Sequence, residues 1–511
     1  MSVPSRLAPI LSLTAIMLTA SVGFGQDQPQ DSNSATNTIA NSTTNAAAGS
    51  TTNDVLLIDS LGRLVTVSTN QVPSGYRPPS DLGVNDQIPT YARGTLAPMA
   101  ILQRARNAIS HAEFFPAVPP GLMPYLASQD EYGNTALTPN PMFSYAPIEP
   151  WVDGAKYQLS RYGLRYSLQQ TFDYINMSNV KQGSDTMAEY TLDMKSKWAI
   201  YDVPTVTAGW LSAQVQAKSG LGTAASTQSV KSNLGTLVNP TVSWSGTNNV
   251  RVPELAWQQS LFNGHFVAVA GVVSQRNYMD DNAYANSGRS KFMNAALINS
   301  QVLPLGRYDF GFNLQWQPLE EWYAMVGGNA GNASAGLLPW IDYSWKTWSL
   351  PIELGYAPTN VFGLGPGIYR IQPFAAGVNG TTGGGLCFDM QQKLGPDSPF
   401  GWFGRFGFGN AKVSTTADRE IGTGFVAQGP FTHLLFHRTS NDFLGSGFVW
   451  SQPAATTKPV IHENEYIWET VYVIQLTPTV KLMPDFQQIW DPAFHNTRSC
   501  SVFQLQLALA W

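Results

Sequence analysis

Residues 498–511 read Arg-Ser-Cys-Ser-Val-Phe-Gln-Leu-Gln-Leu-Ala-Leu-Ala-Trp, and their alternation decides the fold. From Phe503 onward every second residue is large and apolar: Phe503, Leu505, Leu507, Leu509 and Trp511. Between them stand Gln504, Gln506, Ala508 and Ala510, which are polar or small. Successive side chains of a strand point to opposite faces, so this is a strand with one oily face and one mild face. A soluble sandwich can carry such a strand. A strand that closes a barrel in a bilayer has a stronger reason for it, because its outer face meets lipid and its aromatic residue sits at the membrane interface.

The same texture recurs upstream. Tyr162, Leu164, Tyr166, Leu168 and Phe172 alternate with Arg161, Gly163, Arg165, Ser167, Gln169 and Thr171. Tyr308, Phe310, Phe312, Leu314 and Trp316 alternate with Arg307, Asp309, Gly311, Asn313 and Gln315. Trp348, Leu350, Ile352, Leu354 and Tyr356 share a face opposite Ser349 and Glu353, and Leu386, Phe388 and Met390 oppose Asp389 and Gln391. Trp468, Tyr472, Ile474 and Leu476 stand against Glu469 and Gln475. The apolar faces begin and end in Trp or Tyr, as an aromatic girdle does, and the charges fall on the other face. Two runs resist the pattern. Phe266–Val273 is apolar on both faces, and Asp442 is in phase with Leu444, Phe448 and Trp450.

Composition agrees with a membrane barrel, and also with a large secreted β-protein. Charged residues make up 12% of the 511, about half of the roughly 25% usual in soluble domains. Mean hydropathy is only −0.12, far from that of a helical membrane protein. A net charge of −5 leaves no basic stripe for neutralising phosphates, which argues against nucleic acid as a partner. Arg6 precedes an apolar run from Leu7 to Ala20 with small residues following, which predicts a signal peptide over residues 1–25. No later apolar run approaches the ~18–20 residues that a spanning helix requires. Residues 26–53 are a Ser/Thr/Asn-rich segment with almost nothing to bury, predicted disordered. Residues 54–150 read as an irregular appendage, periplasmic or plug-like: a strand or hairpin over residues 55–67, then Pro-rich stretches around a short helix at 95–115. Residues 151–511 are the predicted barrel domain. At roughly twenty residues per strand and connection, about 355 residues give 16–18 strands. The predicted fold class is therefore all-β, a transmembrane antiparallel β-barrel of about 16 strands with an irregular, short-helical N-terminal appendage. Cys387 and Cys500, the only two cysteines, provide no disulfide framework, and bonding them would require strand pairing to bring them together.

Particular residues also resemble a known family, the carbohydrate-selective porins of the OprB type. The most specific run is Glu465-Tyr-Ile-Trp-Glu469-Thr-Val-Tyr472-Val-Ile-Gln475-Leu-Thr-Pro478, followed by Pro484-Asp485-Phe-Gln487-Gln-Ile489-Trp-Asp491-Pro492. It is similar to the family's penultimate hairpin. Arg438 and Asp442 with Gly445 and Gly447, the run from Glu254 through Trp257 to Gly264, the Gly271 region, and the stretch from Pro304 to Pro318 resemble further blocks. The chain departs from the pattern in carrying Trp511 where the family usually has Phe, and in its long Ser/Thr/Asn leader. The resemblance implies an outer-membrane porin through which small carbohydrates diffuse passively, with outer-membrane lipid around it, no cofactor, and a homotrimer as one assembly open to it.

If the polar phase faces the lumen, the wall carries Arg161, Arg165, Arg307, Asp309, Glu353, Arg370, Asp389, Arg405, Glu469, Lys481 and Asp485. Mixed acid and base suits neutral polyhydroxylated solutes, since each hydroxyl both donates and accepts. The same charges could instead pair with one another and stiffen the wall. Other chemistries find little support. Glu465 and Glu469 share a strand face at ~13 Å, too far apart for a glycosidase pair. His433 and His437 have helix spacing but no third ligand nearby. The glycines at 363, 365 and 367 surround Pro366 as a turn, and there is no Gly-x-Ser-x-Gly elbow. Two alternatives stay open: an outer-membrane barrel enzyme hydrolysing lipids or esters, and a secreted carbohydrate-binding β-protein with its apolar faces buried.

Overall fold

A computed structural model describes residues 54–58, 64–68 and, apart from short stretches of which 429–441 is the longest, 164–510. Among these, β1 (Asp54–Ile58) and β2 (Leu64–Ser68) form an antiparallel hairpin, Val55 opposite Val67. It belongs to the first of two compact units, Met1–Pro78. The expected signal peptide, the Ser/Thr/Asn segment, the helix at 95–115 and Trp511 lie outside the described residues.

The second unit contains a closed barrel of sixteen strands. In chain order they are β3 (Leu164–Met177), β4 (Thr186–Val203), β5 (Thr207–Gly220), β6 (Asn249–Leu261), β7 (Phe266–Val273), β8 (Asp309–Leu319), β9 (Trp322–Ala330) and β10 (Thr347–Tyr356). They continue with β11 (Gly367–Val378), β12 (Thr381–Lys393), β13 (Phe400–Gly409), β14 (Ala417–Gln428), β15 (Phe443–Pro453), β16 (Glu465–Gln475), β17 (Val480–Trp490) and β18 (Ser499–Ala510). Every strand pairs antiparallel with its neighbours in sequence, and β18 closes on β3 with Leu505 opposite Tyr174. Closure leaves no strand edge unpaired, the condition a sheet must meet in hydrocarbon. No described helix is long and apolar enough to cross a membrane.

Orientation follows from exposure. Trp316 is 54% exposed, Trp322 50% and Phe425 60%; Phe172, Leu314, Leu354, Phe448, Trp468 and Leu505 are exposed as well. The opposite phase, including Glu353, Asp389, Glu469 and Gln506, is buried. The oily faces therefore point outward, which excludes a sandwich with those faces packed inside. Asp442 precedes β15, inside which the inward phase is Phe443, Gly445, Gly447 and Val449. Its carboxylate accepts from the Tyr472 hydroxyl at 3.0 Å and from the Gln475 N–H at 3.1 Å, so it caps a wall edge and never enters the lipid phase. Cys387 and Cys500 are buried free thiols on separate strands.

Because the strands alternate in direction, the β5–β6 and β7–β8 connections leave the same end of the barrel. They contain the short helices α1 (Val230–Leu234) and α2 (Ala295–Ile298). Both connections turn inward.

Candidate functional site: the inserted segment and the polar wall

The segment joining β7 to β8 has little regular structure, so its backbone N–H groups need partners from elsewhere. Inward-facing carboxylates on every second strand provide them. Glu353 on β10 accepts from the Asp280 N–H at 2.9 Å, and Glu420 on β14 from the Gln301 N–H at 3.2 Å. Glu469 on β16 accepts from the Met293 and Asn294 N–H groups, the latter at 2.9 Å. On β12, Asp389 accepts from the Asn282 side-chain amide at 3.0 Å. The β5–β6 connection is held in the same way: Glu465 accepts from the Leu237 N–H at 2.6 Å and from the Val238 N–H at 3.3 Å. Hydrogen bonds to a charged acceptor contribute about 1.5–3 kcal/mol each, enough together to fix an otherwise irregular chain.

Two arginines neutralise part of this acidic wall. Arg370 pairs with Asp389 and lies 3.3 Å from Glu353. Arg405 lies 3.1 Å from Asp389 and 3.2 Å from Asp280, and its guanidinium donates to the Leu297 carbonyl at 2.9 Å. The strand register makes the network, since Arg370 stands opposite Asp389 and Asp389 opposite Arg405. Burial pushes the Asp280 carboxyl up to about 6; Arg405 opposes that push and Asp389 adds to it. Burial likewise pulls the Lys291 ammonium down to about 8.

Apolar packing completes the seat. Phe292 meets Phe403 at 5.5 Å and Phe443 at 6.2 Å, both edge-on. Leu297 and Val302 join the same buried cluster with Val449 and Ile467. Wall glycines make the room: a Cβ on Gly447 would stand 2.7 Å from Leu297, and one on Gly445 2.7 Å from Phe292. The double apolarity of β7 has the same origin. Its inward residues Val267, Val269 and Val273 pack with Ala256 and Tyr278, so that this stretch of inner wall is dry.

Across the barrel the wall is polar. Asp193 on β4 accepts from Gln214 and Gln216 on β5, at 2.5 and 2.9 Å. Arg289 reaches from the inserted segment to Asp193 at 2.7 Å and to Gln169 at 3.1 Å. Arg251 donates to Gln216 at 2.9 Å and lies 4.3 Å over the Tyr308 ring. Lys195 and Lys197 occupy the same inward phase and are only half-buried. The segment thus bears on both sides of the barrel; of the groups named here Gln169, Lys195, Lys197, Arg251 and Arg289 keep some exposure, while Asp193, Gln214 and Gln216 are buried.

A family model described as "Carbohydrate-selective porin, OprB family" matches residues 206–375 and 372–507. The chain belongs to this family. Among solved structures, the high-pH structure of Pseudomonas putida OprB is 15% identical with TM-score 0.57, covering 70% of this chain and 96% of that one. The low-pH structure of the same protein is also 15% identical, with TM-score 0.46, covering 72% and 98%. A mutant of Rh. blastica porin is 8% identical with TM-score 0.41, covering 68% and 100%. No curated protein sequence matches.

In this porin, a channel protein of the outer membrane and not an enzyme, the eleven residues expected at the pore divide by place, Lys481 standing on β17 opposite Gln475. Arg161 and Arg307 lie outside the described residues, as do His433 and His437. Arg165 stands on β3 opposite Lys197. Glu353, Arg370, Asp389, Arg405 and Glu469 face inward and are buried beneath the inserted segment. Asp485 is buried beside Gln487, which donates to it at 2.9 Å, and Asp309 is buried at the start of β8. Sequence reasoning passed over the Asp193, Lys195, Lys197, Gln214 and Gln216 row, whose alternation was there to be read. It also passed over the inserted segment, whose traces were Gly445 and Gly447 in an inward phase and the two apolar faces of β7.

Proposed function

We propose that this porin lets small neutral carbohydrates diffuse passively through the space between the inserted segment and the β3–β6 wall. The reading rests on one observation: a segment fixed to β10–β16 presents Arg289 to a wall of alternating amide, acidic and basic groups. Such a lining can donate to and accept from hydroxyls. Family membership supports the carbohydrate class. The buried wall residues Glu353, Arg370, Asp389, Arg405, Glu469 and Asp485 act by holding the segment, which sets the width. Arg165, whose register partner is Lys197, is kept as a solute-binding candidate on its sequence alternation alone. A homotrimer completes the proposal and is checked by native mass of the detergent-purified protein. In liposome swelling, monosaccharides should enter much faster than tetrasaccharides, and Arg289→Ala should narrow that difference. Equal rates for both sugars in the parent protein would reject the reading.

A further inference from the structure

We propose that the outward face of β13–β15, at the rim where Arg419 stands, binds the phosphate headgroup of an acylated lipid in the outer leaflet. Among the described side chains of the barrel strands, Arg419 is the one charged group that is exposed. A bulge puts it there. Ala417 pairs with Pro453 and Arg419 with Gln452, so Asp418 is an extra residue on β14. Regular alternation from Ala417, which is buried, would turn Arg419 inward, and the bulge turns it out. The guanidinium has no hydrogen-bond or ion-pair partner among the described residues. A charge on the lipid face of a barrel is costly in a depth-dependent way, so this arrangement calls for an anion.

The surroundings say which anion. One row further into the sheet on the same face, Phe406, Ile421 and Trp450 stand side by side in register. With Arg419 they line an open groove of about 310 Å³. The Trp450 ring is fixed in its place, since its indole N–H donates to Asn464 of the next connection at 2.9 Å. A cation at the rim above an apolar groove matches an amphiphile. The guanidinium takes a phosphate bidentately, the Gln452 amide offers a donor beside it, and an acyl chain fills the groove. The connections give the leaflet. Arg419 lies at the end of the barrel that carries the long connections 221–248 and 274–308, whereas the opposite end has turns such as 262–265 and 320–321. Long loops of outer-membrane barrels are extracellular and short turns periplasmic, so the lipid belongs to the outer leaflet. This does not rest on the carbohydrate reading.

The full-length mature protein is refolded into neutral detergent without lipid, and retention of added lipid is read by native mass spectrometry. The probes are diphosphorylated lipid A, the same lipid with both phosphates removed, and inorganic phosphate. One lipid A per chain is expected, bound at least tenfold more tightly than its dephosphorylated form and undisturbed by millimolar inorganic phosphate. Arg419→Gln should lower that affinity at least tenfold, Arg419→Lys should recover part of it, and Trp450→Ala should weaken it severalfold. Arg419 is exposed, so its variants should keep the barrel, checked by circular dichroism. Lys181→Gln, which removes another exposed cation at the same end, should change nothing. Equal retention by wild type and Arg419→Gln, or of the two lipid forms, overturns the site. So does an equal loss in Lys181→Gln, which would mean diffuse attraction, or displacement by inorganic phosphate, which would mean a free-ion site. A fall in oligomer mass in Arg419→Gln with lipid retention unchanged overturns it too, and gives the face to a second copy of the chain.

Discussion

At the residue scale, Glu469 and Gly447 show how the wall was written for its guest. Glu469 receives two consecutive backbone N–H groups, a role for which a carboxylate is suited and an amide is not. Glu469→Gln should loosen the segment by about 1–3 kcal/mol while the strand ladders persist. Single-channel recordings should show higher conductance with more noise, and an unchanged trace would mean that the segment is held elsewhere. Gly447→Val places a branched side chain where a Cβ alone would already stand 2.7 Å from Leu297. Larger conductance is expected again, this time with faster swelling for larger sugars. A variant indistinguishable from the parent would show that the wall yields to the intruding methyls. Neither residue announces its role by type: an inward Glu looks like pore lining, and a strand glycine looks like a weak spot, until the segment is seen against them.

At the scale of elements, the segment between β7 and β8 behaves as a separable part. Replacing residues 275–305 with a short Gly-Asn turn should leave β7 and β8 paired, because their ladder from Phe266–Trp316 to Val273–Asp309 does not involve it. Conductance should rise severalfold and discrimination between sugars should collapse, read in the same liposomes. Docking should also depend on pH through Asp280. Its carboxyl is pushed up to about 6 in the folded protein, above the ~3.9 of an unfolded chain. A group raised in this way contributes stability that is full below the unfolded value and is lost as pH rises through the folded one. Melting temperature should therefore decline between about pH 4 and 6 relative to Asp280→Asn, with no further divergence above that range. A difference that stays flat across the window would show that Arg405 fully compensates the burial.

At the scale of the molecule, the outward phase must meet hydrocarbon. Leu314→Arg, in the middle of β8, should destabilise the protein folded in bilayers by up to about 2–4 kcal/mol, measured by urea titration in vesicles. An effect below about half a kcal/mol would place that face outside the membrane. The sequence by itself determined which phase of each strand is oily and that the chain closes as a barrel of about sixteen strands. It also carried the family resemblance, in the run from Glu465 to Pro492. These are legible because alternation is local: each residue's face depends only on its neighbours along the strand. What lies against the inner face was decided only by the tertiary structure. Whether Glu353, Asp389 and Glu469 meet water or the N–H groups of residues 280–294 depends on a connection far away in sequence folding back across the barrel. The polar phase of a strand reads the same for either partner.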